Sequence, residues 1–148
     1  IIASKNLGSN DKNREEDAQA SYAGELFIML AGAMFLAFNV APTEEMVLIA
    51  YKMSFAHAIV LVLVSLFIMH ALVYSLEFKG QHEPKDKSFI ALALNFTVAG
   101  YAVSLLVSAY VLWTFGRFDG MSLVEGVTTT TVLAFPAALG ASTARLII

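Results

Sequence analysis

Four stretches of this chain are each long and apolar enough to cross a lipid bilayer, and that constrains the fold more than any other feature. Crossing ~30 Å of hydrocarbon takes about 17–25 mostly apolar residues in a helix. The stretches cover residues 25–41, 54–76, 89–115 and 122–148. Composition agrees. The chain is 58% hydrophobic and only 14% charged, whereas soluble domains carry about 25% charged residues. A water-facing surface cannot be built from so few charges. Disorder, nucleic-acid binding and an ordinary soluble domain are therefore excluded. With no cysteine, the chain has no disulfide scaffold, thiolate metal site or cysteine nucleophile. The expected fold class is all-α: a polytopic transmembrane helix bundle of four spans, with the lipid bilayer as its first partner.

The pattern between the spans sets the organisation. Residues 1–22 hold Lys5, Asp11, Lys12, Arg14, Glu15, Glu16 and Asp17 and almost no large apolar side chain after Leu7. They read as a solvated loop or linker, leaving 23–148 as the four-span domain. Pro42 interrupts the first span. Thr43-Glu44-Glu45 then carries a helix-start signal, a capping residue followed by two acids where the macrodipole favours them. The expectation is a short interfacial helix running to about Met53. A chain that begins at Ile1 and stops at Arg145-Leu146-Ile147-Ile148 reads as a processed product or a piece of a longer protein.

Charge sets the topology. Lys5, Lys12, Arg14, Lys79, Lys85, Lys87 and Arg145 fall on one side of a four-span arrangement, against Lys52 and Arg117 on the other. The excess of Lys and Arg belongs in the cytoplasm. Residues 1–22 and 77–88 are thus expected inside, and Arg117 outside. Small residues indicate packing. Gly100, Ser104 and Ser108 form one stripe of the third span, and Ala137 with Ala141, Gly140 with Ala144, and Ala33 with Ala37 form shorter ones. Such stripes let helix backbones approach where lipid offers no hydrophobic drive.

Three segments carry a resemblance. They are Asn39-Val40-Ala41-Pro42-Thr43-Glu44-Glu45-Met46, Val111-Leu112-Trp113-Thr114-Phe115-Gly116-Arg117 and Phe135-Pro136-Ala137-Ala138-Leu139-Gly140-Ala141. Together they resemble the C-terminal part of an uncharacterised family of bacterial integral membrane proteins with about seven spans. Genes of that family tend to sit beside one for a small companion protein. The resemblance implies that further N-terminal spans are missing or come from a second chain, and that a small membrane companion is a partner. It carries over no activity and no site residue.

Ionisable groups in or beside spans are expensive, so each is a functional candidate. On the expected topology they form two layers. The outer layer holds Glu44, Glu45, Lys52, His57, Arg117, Asp119 and Glu125. Its acids outnumber its bases, which suits an ion pathway or cation site with oxygen ligands from Glu44, Glu45, Asp119 and Glu125. Hard cations take such ligands, and His57 would shift preference toward zinc. The competing reading is helix capping, with Arg117 paired to Asp119. Glu45 is favoured over Glu44 because one acid suffices as a cap. Glu45 and Glu125 are expected to share a desolvated site with His57 or a cation. The inner layer holds Glu25, His70 and Arg145, with Asn95 nearby. It reads as an ion pair between Glu25 and Arg145, or as a proton relay through His70. His57 and His70 are thirteen positions apart, ~20 Å along a helix. Two-haem cytochromes use that spacing, but no other span holds a histidine. No cofactor is expected, and the identity of any metal stays open.

Two further features are weaker. Pro136 invites a kink in the fourth span, and the hydroxyls of Thr128–Thr131 are placed to satisfy the carbonyls a kink frees. Tyr110 and Trp113 at the outer end, and Tyr22 and Tyr74 at the inner, read as aromatic belts. No phosphate loop, HExxH, dinucleotide fingerprint or nucleophile elbow occurs, so no enzyme is expected. Two function classes remain. The favoured one is a channel or secondary transporter for a small cation or proton. The alternative is a non-transporting structural or accessory subunit of a larger membrane complex, with homo-oligomerisation expected in either case.

Overall fold

The computed structural model describes residues 2–80 and 89–147, with side chains for 21–73 and 94–147. Its elements are α1 (Ile2–Val40), α2 (Glu44–Lys52), α3 (Phe55–Gly80), α4 (Phe89–Thr114) and α5 (Leu123–Ile147), and no strand occurs among the described residues. Four of these hold a segment long and apolar enough to span a membrane: Ser21–Val40, Phe55–Val73, Leu94–Thr114 and Leu123–Ile147. The expected bundle and the short helix after its first span are both present. Most of the linker, residues 81–88, lies outside the described residues, as does the side chain of Tyr74.

One expectation differs. Residues 2–22 are helical and continuous with the first span, not a loop. The physical reason is that charge and low hydrophobicity argue against burial but not against helix. Arg14-Glu15-Glu16 and Ala18-Gln19-Ala20 are good helix formers. The first span also supplies the costly nucleus, after which each added residue gains a hydrogen bond.

The bundle centres on α5, which packs against α1, α2, α3 and α4, while α4 also contacts α1 and α3. A helix can sit at such a centre only if it is thin. Along its inner half α5 presents Ala134, Ala137, Ala138, Ala141 and Ser142, all essentially inaccessible. The tightest crossing joins α1 and α5. A Cβ added to Gly32 would collide with the Gly140 carbonyl oxygen and the Ala144 methyl, and one added to Gly140 would collide with the Gly32 carbonyl. The expected pair Gly140 and Ala144 therefore does pack, but its partner is Gly32, one residue from the Ala33–Ala37 pair. Both alanines are also buried.

The Gly100–Ser104–Ser108 stripe faces helices, not lipid. All three are buried. A Cβ on Gly100 would meet the terminal methyls of Met29 on α1 and Met69 on α3. Methionine ends are flexible and yield space at modest cost. Gly100→Ala should consequently cost no more than ~1–2 kcal/mol, whereas Gly100→Leu, which the methyls cannot accommodate, should cost several times as much. Detergent unfolding monitored by circular dichroism would check that ratio, and equal costs would move the stripe's neighbours elsewhere.

α5 runs unbroken through Pro136. The hydroxyls of Thr128, Thr130 and Thr131 donate to the carbonyls of Val124, Gly126 and Val127, one turn back along the helix. They are not spent on carbonyls next to the proline. Met29, Met46 and Met69 are buried in the core of the bundle. Tyr110 and Trp113 are exposed with ring centroids 6.3 Å apart, as an interfacial belt requires. Tyr22 is also exposed, with its ring 5.0 Å from that of Phe96.

Candidate functional site

The outer layer is assembled from helix ends. α4 stops in a Schellman arrangement: the Gly116 N–H donates to Trp113 O and the Arg117 N–H to Leu112 O. Gly116 has φ +65, a conformation that a side chain disfavours and that this cap demands. The cap fixes where Arg117 leaves the chain. Its guanidinium crosses to the α1–α2 corner, donating from Nη1 to Glu44 Oε1 at 2.8 Å and from Nη2 to the Pro42 carbonyl. The partner of Arg117 is thus Glu44 and not Asp119, which is exposed in the turn. Thr43 occupies the N-cap position of α2 as expected, but its hydroxyl donates back to Val40 O at 2.8 Å instead of capping. Arg117 therefore pins the corner that Pro42 opens.

Glu125 is engaged within its own helix. Its Oε2 accepts from the Ser122 N–H at 2.7 Å and from the Ser122 hydroxyl at 2.8 Å. The Ser122 hydroxyl accepts in turn from the Glu125 N–H at 3.3 Å. That is a capping box, and the Ser-x-x-Glu spacing ahead of an apolar run is its sequence signature. His57 does similar work at the start of α3: Ser54 Oγ lies 2.6 Å from His57 Nδ1 and accepts from the His57 N–H at 3.4 Å. Glu45 is exposed and not desolvated. Among the described residues no three of His, Asp and Glu come together to hold a metal ion. Of the acids expected to line a cation site, one pairs with Arg117, one caps α5, and Glu45 and Asp119 face outward.

These geometries set small, distinct costs. Glu125→Ala should lower the melting temperature of the bundle slightly, because the Ser122 N–H then loses its carboxylate acceptor. Arg117→Ala breaks a bridge whose Glu44 side chain is 84% exposed, so its ionic part is worth under ~1 kcal/mol. Its larger effect should be local: faster proteolytic nicking between Val40 and Glu44 in membranes. Unchanged nicking would show that the corner holds itself without Arg117.

The inner layer is more tightly built. Arg145 Nη2 lies 2.6 Å from Glu25 Oε2, and the two side chains are 13% and 33% exposed. The Arg145 guanidinium also sits 4.0 Å over the Phe96 ring. One residue on α5 thereby ties α1 to α4. His70 is half-buried, with Nδ1 3.1 Å from the hydroxyl of Thr97 on α4. Which atom donates depends on the imidazole tautomer. Asn95 is exposed. Sequence reasoning reached Glu25, His70 and Arg145 but not Thr97, Phe96 or Gly32. Thr97 follows from the four-residue spacing that leads to Tyr101 on the buried face of α4. Nothing in one sequence points to Phe96 as the stacking surface.

An apolar groove of about 600 Å³ lies between α4 and α5 beside their connecting turn, lined among others by Leu105, Ala109, Phe118, Gly126 and Thr130. It passes Ser122 but holds no ionisable side chain.

Comparison with known proteins adds the family. A family model described as "Putative integral membrane protein (DUF2391)" matches residues 2–148. No curated protein and no solved structure matches the chain. With the match running almost end to end over a bundle of four membrane-length helices, the chain belongs to this family of integral membrane proteins.

Proposed function

We propose that this chain is a structural or accessory subunit of a larger complex in the bacterial inner membrane, with no enzymatic activity and no ion path of its own. The observation that supports this reading is the way its charges are used. Glu25 is bonded to Arg145, Glu44 to Arg117, and Glu125 to the first turn of α5. The two ion pairs tie separate elements together, the cap fixes the start of α5, and α1 and α5 meet backbone to backbone at Gly32 and Gly140. Transport sites usually lie at mid-bilayer between broken helices, and α5 here is continuous. Residues 1–22 and 77–88 would face the cytoplasm, as the excess of Lys and Arg favours. Other spans, further copies of the chain or the small companion implied by the resemblance would complete the complex.

The second reading, a channel or secondary transporter for a small cation or proton, has one observation in its favour. His70 is a titratable group inside a span and bonded to a neighbouring helix, the arrangement that proton relays use. Reconstitution into liposomes separates the two. The subunit reading expects potassium, sodium and proton fluxes equal to those of protein-free vesicles. A flux abolished by His70→Ala or by Glu45→Gln would replace it with the transport reading.

A further inference from the structure

The apolar groove between α4 and α5 is as long as one leaflet of a bilayer is deep. Its lining runs from Ser122 to Thr131 on α5 and reaches back to Leu105 on α4. Thr131 lies ~14 Å along α5 from Ser122, and Leu105 lies ~14 Å along α4 from its end at Thr114, at 1.5 Å per residue. Half of a ~30 Å hydrocarbon core is about 15 Å. The groove therefore starts at the connecting turn and stops near mid-bilayer on both helices. Leu123 and Val127 of its lining are exposed, so the medium along it is hydrocarbon. Its hydroxyls make no demand on an occupant, because Thr130 and Thr131 donate to Gly126 O and Val127 O.

A neighbouring helix fits this groove poorly. Membrane helices approach closely over bare small residues. The smallest residue of this lining is Gly126, and it is covered: a Cβ there would meet the Phe118 ring at 3.6 Å. A flexible hydrocarbon chain passes beside that ring where a helix backbone cannot. The end of the groove at the turn is acidic. Glu125 Oε2 accepts at 2.8 Å from the hydroxyl of Ser122, which lines the groove, and Asp119 is exposed in the turn. The cation of that turn is already committed, since Arg117 is bonded to Glu44 and to the Pro42 carbonyl. Opposite charges attract and like charges repel across such a mouth, so it favours an ammonium group over an anionic headgroup.

We propose that this groove seats one acyl chain of a phospholipid with an amine headgroup, of the phosphatidylethanolamine class. The chain lies along α4 and α5 from the turn to mid-bilayer, and the ammonium faces Asp119 and Glu125. The seat is independent of whether the chain conducts ions.

The probe is phosphatidylethanolamine carrying a diazirine at the end of one acyl chain. It is doped into vesicles of equal phosphatidylethanolamine and phosphatidylglycerol that hold the protein. The vesicles are dissolved in mild detergent to dilute bulk lipid, irradiated, and the label is mapped on peptides. Leu63 on α3 is the control, being 60% exposed and ~12 Å along its helix from Phe55. Label should fall on 105–109 and 126–131 several-fold above the peptide that holds Leu63. Equal labelling would overturn the proposal, leaving only general contact with lipid. Thr130→Trp, which fills the groove, should remove the excess label. Ala109→Phe should do the same from the α4 side, and circular dichroism checks that each variant folds. The labelling pattern of the native protein decides whether or not they do. The same diazirine chain on phosphatidylglycerol should label the groove several-fold less, and Asp119→Asn with Glu125→Gln should close that gap. Equal labelling by the two lipids would overturn the amine headgroup. A groove that takes no label, while a photoreactive residue in place of Ala109 cross-links a second copy, would overturn the seat in favour of a protein contact.

Discussion

Gly140→Leu should prevent the bundle from assembling, and even Gly140→Ala should cost more than ~3 kcal/mol, above the usual range for overpacking. The reason lies in what the new carbon meets. At Gly100 the obstacles are methionine methyls, which swing aside. At Gly140 they are the carbonyl oxygen and carbon of Gly32, which move only if the whole of α1 moves. α1 in turn is held by Met29, Ala33, Ala37 and Ala41, all fully buried. Separating α1 from α5 by even an ångström would loosen packing along the entire interface, because dispersion falls steeply with distance. Gly24 provides the control. A Cβ there meets nothing within 4 Å. Gly24→Ala should therefore stabilise α1 slightly, by up to ~1 kcal/mol of helix propensity. Unfolding in mixed micelles would compare the three variants. A Gly140→Ala protein as stable as Gly24→Ala would mean that α1 and α5 do not cross at these glycines.

The contrast between these glycines shows how far a single sequence can be read. Span number and approximate limits follow from hydropathy, since the bilayer fixes the length of every spanning segment. The break at Pro42, the start of α2 at Thr43 and the turn around Gly116 follow from local stereochemistry. Packing is half legible. Gly100, Ser104 and Ser108 announce a close contact, but only the bundle shows that soft methionines face one glycine and bare backbone the other. The outer acids were harder. Glu44, Glu45, Asp119 and Glu125 look like a cluster in sequence because all four lie near the same ends of their spans. Proximity along the membrane normal is not proximity across it. The Ser122-x-x-Glu125 spacing already contained the capping answer for one of them. For Glu44 the decisive fact was the direction of Arg117, which depends on the positive φ of Gly116 and is not written in any spacing.

The ion pair of the inner layer gives the other large effect, and it should be asymmetric. Replacing Arg145 by Met leaves the Glu25 carboxylate two-thirds covered, inside a span and without its partner. Stranding one member of a fully buried pair costs ~3–5 kcal/mol. With a third of Glu25 still exposed, about 2 kcal/mol is the appropriate share. Arg145→Met also removes the guanidinium from the Phe96 ring, a contact worth ~0.5–2 kcal/mol in its own right. The two losses together place this variant near ~3 kcal/mol. Glu25→Gln is the milder change. Arg145 keeps its place over Phe96, its long stem lets the charge lean toward the interface, and the amide oxygen still accepts a hydrogen bond. About 1 kcal/mol is expected for it. Because Arg145→Met is costly mainly through the stranded carboxylate, Glu25→Gln should become favourable in its background. The double variant should then be more stable than Arg145→Met alone. A double-mutant cycle in detergent measures this directly. Additive costs would mean that Arg145 contributes through Phe96 alone, and that the 2.6 Å approach to Glu25 is electrostatically idle.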